Sequence, residues 1–149
     1  MSTNAKSMSE DEAVASVLER VKRAHLSKDA ADLVEMYAPD ATLYTMAPPL
    51  VHRVDTAEVE KWFGTWEGGV RLSERKLAIT VDGALAVVRC LARMEGRNAA
   101  QAVDVDMWYR RTVVLEKRAG AWRITHQHDS VPFYMDGSFG AAVNLKPPE

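Results

Sequence analysis

Asp106-Met107-Trp108-Tyr109-Arg110-Arg111-Thr112-Val113-Val114-Leu115, followed by Trp122-Arg123-Ile124-Thr125-His126-Gln127-His128-Asp129-Ser130-Val131-Pro132, decides the fold of this chain. Both runs are rich in β-branched and aromatic residues, and Ala119-Gly120 between them is a short glycine-containing connection of the kind that closes a hairpin. Titratable side chains stand where the covered face of a sheet needs only apolar ones. Burying such groups is costly unless they are paired or used, so a site is expected here.

The two-residue period of a strand says which side chains share a face. Tyr109, Arg111, Val113 and Leu115 lie on one side, and Trp108, Arg110, Thr112 and Val114 on the other. A two-residue turn at Ala119-Gly120 pairs Arg118 with Ala121, Leu115 with Ile124, Val113 with His126 and Arg111 with His128. In that register the covered face is Leu115, Val113 and Ile124, and His126 and His128 point inward. A single bulge reassigns everything beyond it and brings Asp129 inward instead of His128. Leu85, Val87, Arg89, Leu91 and Arg93 oppose Ala86, Val88, Cys90, Ala92 and Met94 in the preceding strand, and neither set is apolar enough to be assigned to the core.

Upstream, Ser9 and Glu12 form a capping box, and Ala13, Val14, Val17, Leu18 and Val21 recur at helical spacing, which predicts a helix to about Leu26. Asp29 caps a second, short helix in which Leu33, Met36 and Tyr37 share a face and which Pro39 ends. Ala41 to Met46 reads as a short strand broken by Pro48-Pro49. Asp55 and Glu58 start a third helix with an aromatic stripe of Val59, Trp62, Phe63 and Trp66, stopped by Gly68-Gly69. Strands follow at about Val70 to Val81 and Leu85 to Met94, with a turn at Asp82-Gly83 and a loop over Gly96-Arg97-Asn98. Helices first and a meander after make an α+β plan.

The chain has 149 residues, one domain's worth, and a formal net charge of -2, which leaves no electrostatic footprint for nucleic acid. The single cysteine, Cys90, sits in an apolar run and reads as a buried, inert thiol, in keeping with a reducing, cytoplasmic compartment. Residues 1–8 read as a disordered start and 9–149 as a single domain. No run of about 18 apolar residues suggests a membrane span.

The run from Trp122 to Pro132 resembles the C-terminal hairpin of the SnoaL-like branch of the nuclear transport factor 2-like superfamily. Tyr37-Ala38-Pro39-Asp40-Ala41, Pro48-Pro49-Leu50, Asp136-Gly137-Ser138 and Leu145-Lys146-Pro147 are similar to words in ketosteroid-isomerase-like members. That superfamily includes ketosteroid isomerases, scytalone dehydratase, limonene epoxide hydrolase, polyketide cyclases and the association domain of calmodulin-dependent kinase II. The resemblance implies a cone-shaped, strongly curved antiparallel sheet packed against three N-terminal helices, with a ligand in the hollow and a twin subunit on the other sheet face, which Trp108, Arg110 and Thr112 suit.

His126 is the first candidate for a general acid or base, because imidazole titrates near neutrality; the plain alternative is a histidine bonded across the sheet. Asp129 is the carboxylate candidate, as superfamily enzymes commonly use an aspartate in the cone. Arg111 and Tyr44 are candidates for stabilising an oxyanion, and Arg89, Arg93, Tyr109 and His128 for contacting substrate. For the arginines the alternative is a salt bridge with Asp104, Asp106 or Glu95. Trp62, Phe63 and Trp66 read first as core and second as a lid over a flat ligand. His126 and His128 are two residues apart on one strand, but no second ligand cluster accompanies them, so no metal and no cofactor are expected. The expected function is a homodimeric, cofactor-independent isomerase, dehydratase or polyketide-cyclase-type lyase acting by proton transfer on a small hydrophobic carbonyl compound. The alternative is a non-catalytic ligand-binding or oligomerisation module like the kinase association domain. 

Overall fold

The computed structural model describes residues 8–149. The expectation of disorder over residues 1–8 therefore falls almost wholly outside the described residues. The order of elements is α1 (Glu10–Ser27), α2 (Ala30–Glu35), β1 (Tyr37–Tyr44), β2 (His52–Arg53), α3 (Thr56–Phe63), β3 (Trp66–Asp82), β4 (Leu85–Asn98), β5 (Val103–Arg118) and β6 (Ala121–Ser130). The strands form one curved sheet in the order β2-β1-β6-β5-β4-β3, antiparallel except where β1 runs parallel to β6.

Each helix starts where its capping residue stands. Ser9, Asp29 and Asp55 accept the backbone N–H three residues on, at 3.1, 3.0 and 3.0 Å. α1 turns its apolar stripe onto the concave face of the sheet, burying Val14, Val21 and Ala24 against Val88, Val113, Leu115 and Ile124. Leu115 and Ile124 are essentially solvent-free, and burial of each such side chain contributes about 1.5–3 kcal/mol. Glu10, in the first turn of α1, accepts from both Lys117 Nζ and Trp122 Nε1, which ties the helix start to the β5–β6 hairpin.

Several boundaries differ from the sequence expectation, each for a tertiary reason. The second helix stops at Glu35, before Pro39, because Met36 O accepts from Ile124 N and Tyr37 pairs with Ile124, drawing the chain into β1. Pro39 falls at the irregularity in that pairing, where a missing N–H is tolerated. The third helix ends at Phe63, and Trp66 opens β3 opposite Asn98. Gly68-Gly69 is an irregular step inside β3, not a helix stop: a Cβ at Gly69 would lie 2.0 Å from the Leu26 carbonyl oxygen, so only glycine lets α1 approach. Gly96 likewise belongs to β4, under the Trp66 ring, and the connection to β5 is moved on to residues 99–102.

The decisive departure is a bulge in the last hairpin. Arg118 faces Ala121 and Leu115 faces Ile124 as expected, but Val114 then faces His126, which leaves Thr125 as the extra residue. Beyond it Val113 pairs with Gln127, Thr112 with His128 and Arg111 with Asp129. Gln127 and Asp129 are buried on the concave side, while His126 and His128 turn to the outer face. In β4 the concave set is Ala86, Val88, Cys90 and Ala92, which leaves Arg89 and Arg93 outside.

Candidate functional site

The concave face carries a continuous polar chain. Arg111 Nε and Nη2 donate to Asp129 Oδ1 and Oδ2 at 2.8 and 3.0 Å; Gln127 Nε2 donates to Asp129 Oδ2 at 2.9 Å; Tyr37 Oη donates to Gln127 Oε1 at 2.9 Å. The Arg111 guanidinium also lies 5.2 Å over the Tyr109 ring. The pair is deeply placed, with 15% of the Arg111 side chain and 7% of that of Asp129 exposed. Three strands build it: β5 supplies Tyr109 and Arg111, β6 supplies Gln127 and Asp129 through the bulge, and β1 supplies Tyr37 at its start.

Burial works against the charge of Arg111, but the adjacent Asp129 carboxylate outweighs it and holds the guanidinium charged well above its ordinary range. Burial pushes the Tyr109 hydroxyl up to about 12 and raises that of Tyr37 further, so both are donors at neutral pH. Arg111 Nη1 has no hydrogen-bond partner among the described residues. Its two N–H groups, with the second N–H of Nη2, are the donors of this guanidinium left unused among the described residues.

A cavity of about 30 Å³ lies against this chain, between α1 and the sheet. Arg111, Gln127, Cys90, Val113 and Ile124 form its floor, and Leu18, Lys22, Glu74 and Leu77 its rim. That volume suits a water molecule and is well short of the hundreds of Å³ of a drug-sized pocket. The rim is joined by an ion pair from Lys22 Nζ to Glu74 Oε1 at 2.9 Å. Burial raises the Cys90 thiol to about 11, so it stays protonated.

His25, on α1, is the residue that sequence reading passed over. Its Nδ1–H donates to Val21 O at 2.8 Å, which leaves the lone pair on Nε2, and Trp62 and Phe63 pack edge-on against its ring. Burial, aided by the charge of Arg111 and opposed by the Val21 bond and Asp129, pushes its pKa down to about 4. The imidazole is neutral at pH 7. Trp66 Nε1, in the same aromatic cluster, is buried without a hydrogen-bond partner among the described residues.

Of the residues singled out in the sequence, Asp129, Arg111 and Tyr109 come together, and Phe63 and Trp66 are buried beside α1. Trp62 is 38% exposed, and the cavity lining includes none of the three aromatics. Tyr44, His126 and His128 form a separate cluster on the outer face, because the Thr125 bulge inverts their facing. His126 Nδ1 bonds Thr42 O at 2.7 Å. Arg93 is likewise outside, bidentate to Asp106 at 2.8 Å for each bond, and Arg89 is exposed there without a salt bridge among the described residues. Among the described residues no group of three His, Cys, Asp or Glu side chains converges as a metal site, and no helix is long and apolar enough to cross a membrane.

The chain belongs to the SnoaL-like domain family, whose model matches residues 14–134. A nuclear transport factor 2-like protein of unknown function from Pseudomonas putida KT2440 is similar over 95% of this chain and 100% of its own, with 25% identity and a TM-score of 0.80. A candidate ketosteroid isomerase from Shewanella frigidimarina matches at 23% identity and TM-score 0.65, covering 80% of this chain and 96% of that one. The kinase association hub of S. rosetta matches at 20% identity and TM-score 0.67, covering 83% and 98%. No curated protein matches the chain. At these identities the last two show the nuclear transport factor 2-like fold alone.

Two outcomes check the electrostatics of the site. Arg111→Met or Asp129→Asn alone should lower the unfolding free energy by about 3–5 kcal/mol in urea titrations, because either leaves a partner buried and uncompensated, while the double replacement Arg111→Met/Asp129→Leu should cost less than either. Because the folded pKa of His25 lies below the ordinary value of about 6.5, its contribution is complete above pH 6.5 and falls as the pH drops toward about 4. His25→Gln should flatten that part of the stability profile measured by thermal unfolding.

Proposed function

We propose that this chain is a cofactor-independent enzyme that moves a proton on a small hydrophobic carbonyl compound, in an isomerisation, dehydration or polyketide-type cyclisation. Residues 9–149 act as one domain, working as a homodimer. The observation that carries the reading is Arg111 on the cavity wall, ion-paired with the buried Asp129 behind it and with Nη1 unbonded among the described residues. Buried ion pairs are weak stabilisers, so one whose arginine lines a cavity is better explained by chemistry than by stability.

In this reading the substrate carbonyl oxygen takes a hydrogen bond from Arg111 Nη1. Asp129 Oδ1, which among the described residues accepts only from Arg111 Nε, takes the proton from the carbon beside the carbonyl. The negative charge passes from Asp129 to the enolate oxygen, and Arg111 touches both, so it is never left unbalanced. Gln127 and Tyr37 hold the Asp129 carboxylate in place, and Tyr109 supports the guanidinium from below. The substrate enters by parting Lys22 from Glu74, because the cavity is too small while that rim is closed. His126 and Tyr44, on the outer face, take no part.

The smallness of the cavity favours one second reading, a ligand-binding or assembly module without turnover. Incubating the protein in D2O with a panel of ketones and β-dicarbonyl compounds, and following exchange of the carbon-bound protons by NMR, separates the two. The enzyme reading expects exchange on at least one compound, reduced about 100-fold or more in Asp129→Asn and Arg111→Met. No exchange across the panel would favour the binding module. Equal exchange in wild type and both variants would remove the pair from the mechanism.

A further inference from the structure

The rim of the cavity has two carboxylates for one ammonium. Lys22 Nζ lies 2.9 Å from Glu74 Oε1 on β3 and 2.6 Å from Glu19 Oε1, one turn back on α1. Glu74 lines the cavity with its side chain 17% exposed, whereas Glu19 is 58% exposed and is not part of the cavity lining. Lys22 is the one salt-bridge partner of Glu74 among the described residues. Arg75, next to Glu74 on β3, turns to the outer face over the Trp108 ring, and Arg111 is bidentate on Asp129. Arg23 and Arg71 border a separate surface groove that Lys22 also lines, and neither reaches the cavity.

Opening that rim leaves the two partners in unequal positions. Lys22 stands on a flexible four-carbon stem and keeps Glu19 when it swings outward, so its charge stays compensated. Glu74 has a shorter reach from the sheet. Without Lys22 it is a half-buried negative charge among Leu18, Leu72, Leu77 and Cys90, which is unfavourable until another cation meets it. A neutral ligand fills the space and leaves that charge alone. A ligand ending in a carboxylate sets a second negative charge beside it, and a ligand ending in a cation restores the lost pair.

We propose that the compound taken into the hollow bears an ammonium group, which replaces that of Lys22 on Glu74 while the carbonyl oxygen meets Arg111. In the closed rim, Lys22 Nζ marks the place of that group. The proposal rests on the proton-transfer reading above and adds the class of substrate, an amino ketone. Glu74 pairs with Ala92, and Ala92 with Tyr109, two residues from Arg111. Glu74 and Arg111 therefore stand two strand spacings apart, about 10 Å at the backbone, with Cys90 and Ala92 of β4 between them on the cavity wall. A carbonyl and an ammonium joined by a short apolar chain match that order.

Calorimetric titration of the full chain at pH 7.5, with the D2O exchange assay beside it, tests this. The probes are methyl ketones whose chain of three to five methylenes ends in a dimethylammonium group, in an isopropyl group of the same shape, or in a carboxylate. The expected result is that the ammonium compound of at least one length binds about tenfold or more tighter than its isopropyl counterpart. Glu74→Gln should abolish that preference. Lys22→Met should tighten the ammonium compound, since nothing then has to leave Glu74, and Arg23→Met, which removes a nearby charge outside the cavity, should not; circular dichroism confirms that each variant is folded. No preference for ammonium at any length, a preference kept in Glu74→Gln, an equal gain from Lys22→Met and Arg23→Met, or a preference for the carboxylate overturns the inference. Where the isopropyl compounds still exchange their protons, the proton-transfer reading survives that outcome. A preference that Glu74→Gln abolishes, with no exchange on any compound, keeps the cation site and overturns the enzyme reading. No binding by any probe overturns the inference, and the wider panel above then decides the enzyme reading.

Discussion

Arg111 and Asp129 are buried side by side beneath α1, and neither charge is tolerable there without the other. Much of the structure is arranged to keep them together. The Thr125 bulge puts Asp129 opposite Arg111, where an unbroken hairpin would have put His128. Gln127 fills one remaining acceptor site of the carboxylate and is itself held by Tyr37, whose position follows from the early end of α2 and the parallel pairing of β1 with β6. The approach of α1 that encloses the pair depends in turn on Gly69, over which the Leu26 carbonyl passes.

How much of this is written in the local sequence varies with the origin of each feature. The three helix starts, the Ala119-Gly120 hairpin and the α+β plan are legible because capping, turn chemistry and apolar period act over a few residues. The ends of α2 and α3 are not, because Tyr37 and Trp66 join strands whose partners lie some 30 to 90 residues away, at Asn98 and Ile124. The same holds for the site. Asp129 and Arg111 stand out as charges in strands, but whether Asp129 or His128 faces inward turns on a single extra residue, and nothing in Ile124-Thr125-His126 marks the bulge. Gln127 sits between two histidines that draw attention from it. His25 reads as one more polar residue at the end of an amphipathic helix, and only its packing under Trp62 and Phe63 makes it unusual.

The two faces of the sheet thus divide the titratable residues by environment. On the concave side, charge is paired, water is nearly excluded, and Arg111, with N–H donors left unused among the described residues, lines a small cavity. On the outer side, Arg75, Arg89 and Arg110 are exposed without a salt bridge among the described residues, while Arg93 and Arg118 are paired with carboxylates. The SnoaL-like family membership fits either emphasis, since a fold does not by itself choose a function. In the reading we propose, the ion pair serves chemistry in the hollow, because a purely structural core of this size would be served as well by apolar side chains.

The most direct test is a crystal structure of the protein grown with a small aromatic phenolate, whose oxygen stands in for an enolate. The account predicts that the ring lies between α1 and the sheet, with the rim at Lys22 and Glu74 parted and the phenolate oxygen within hydrogen-bond distance of Arg111 Nη1. A phenolate bound instead among Tyr44, His126 and His128, with Arg111 and Asp129 still sealed from it, would contradict the account.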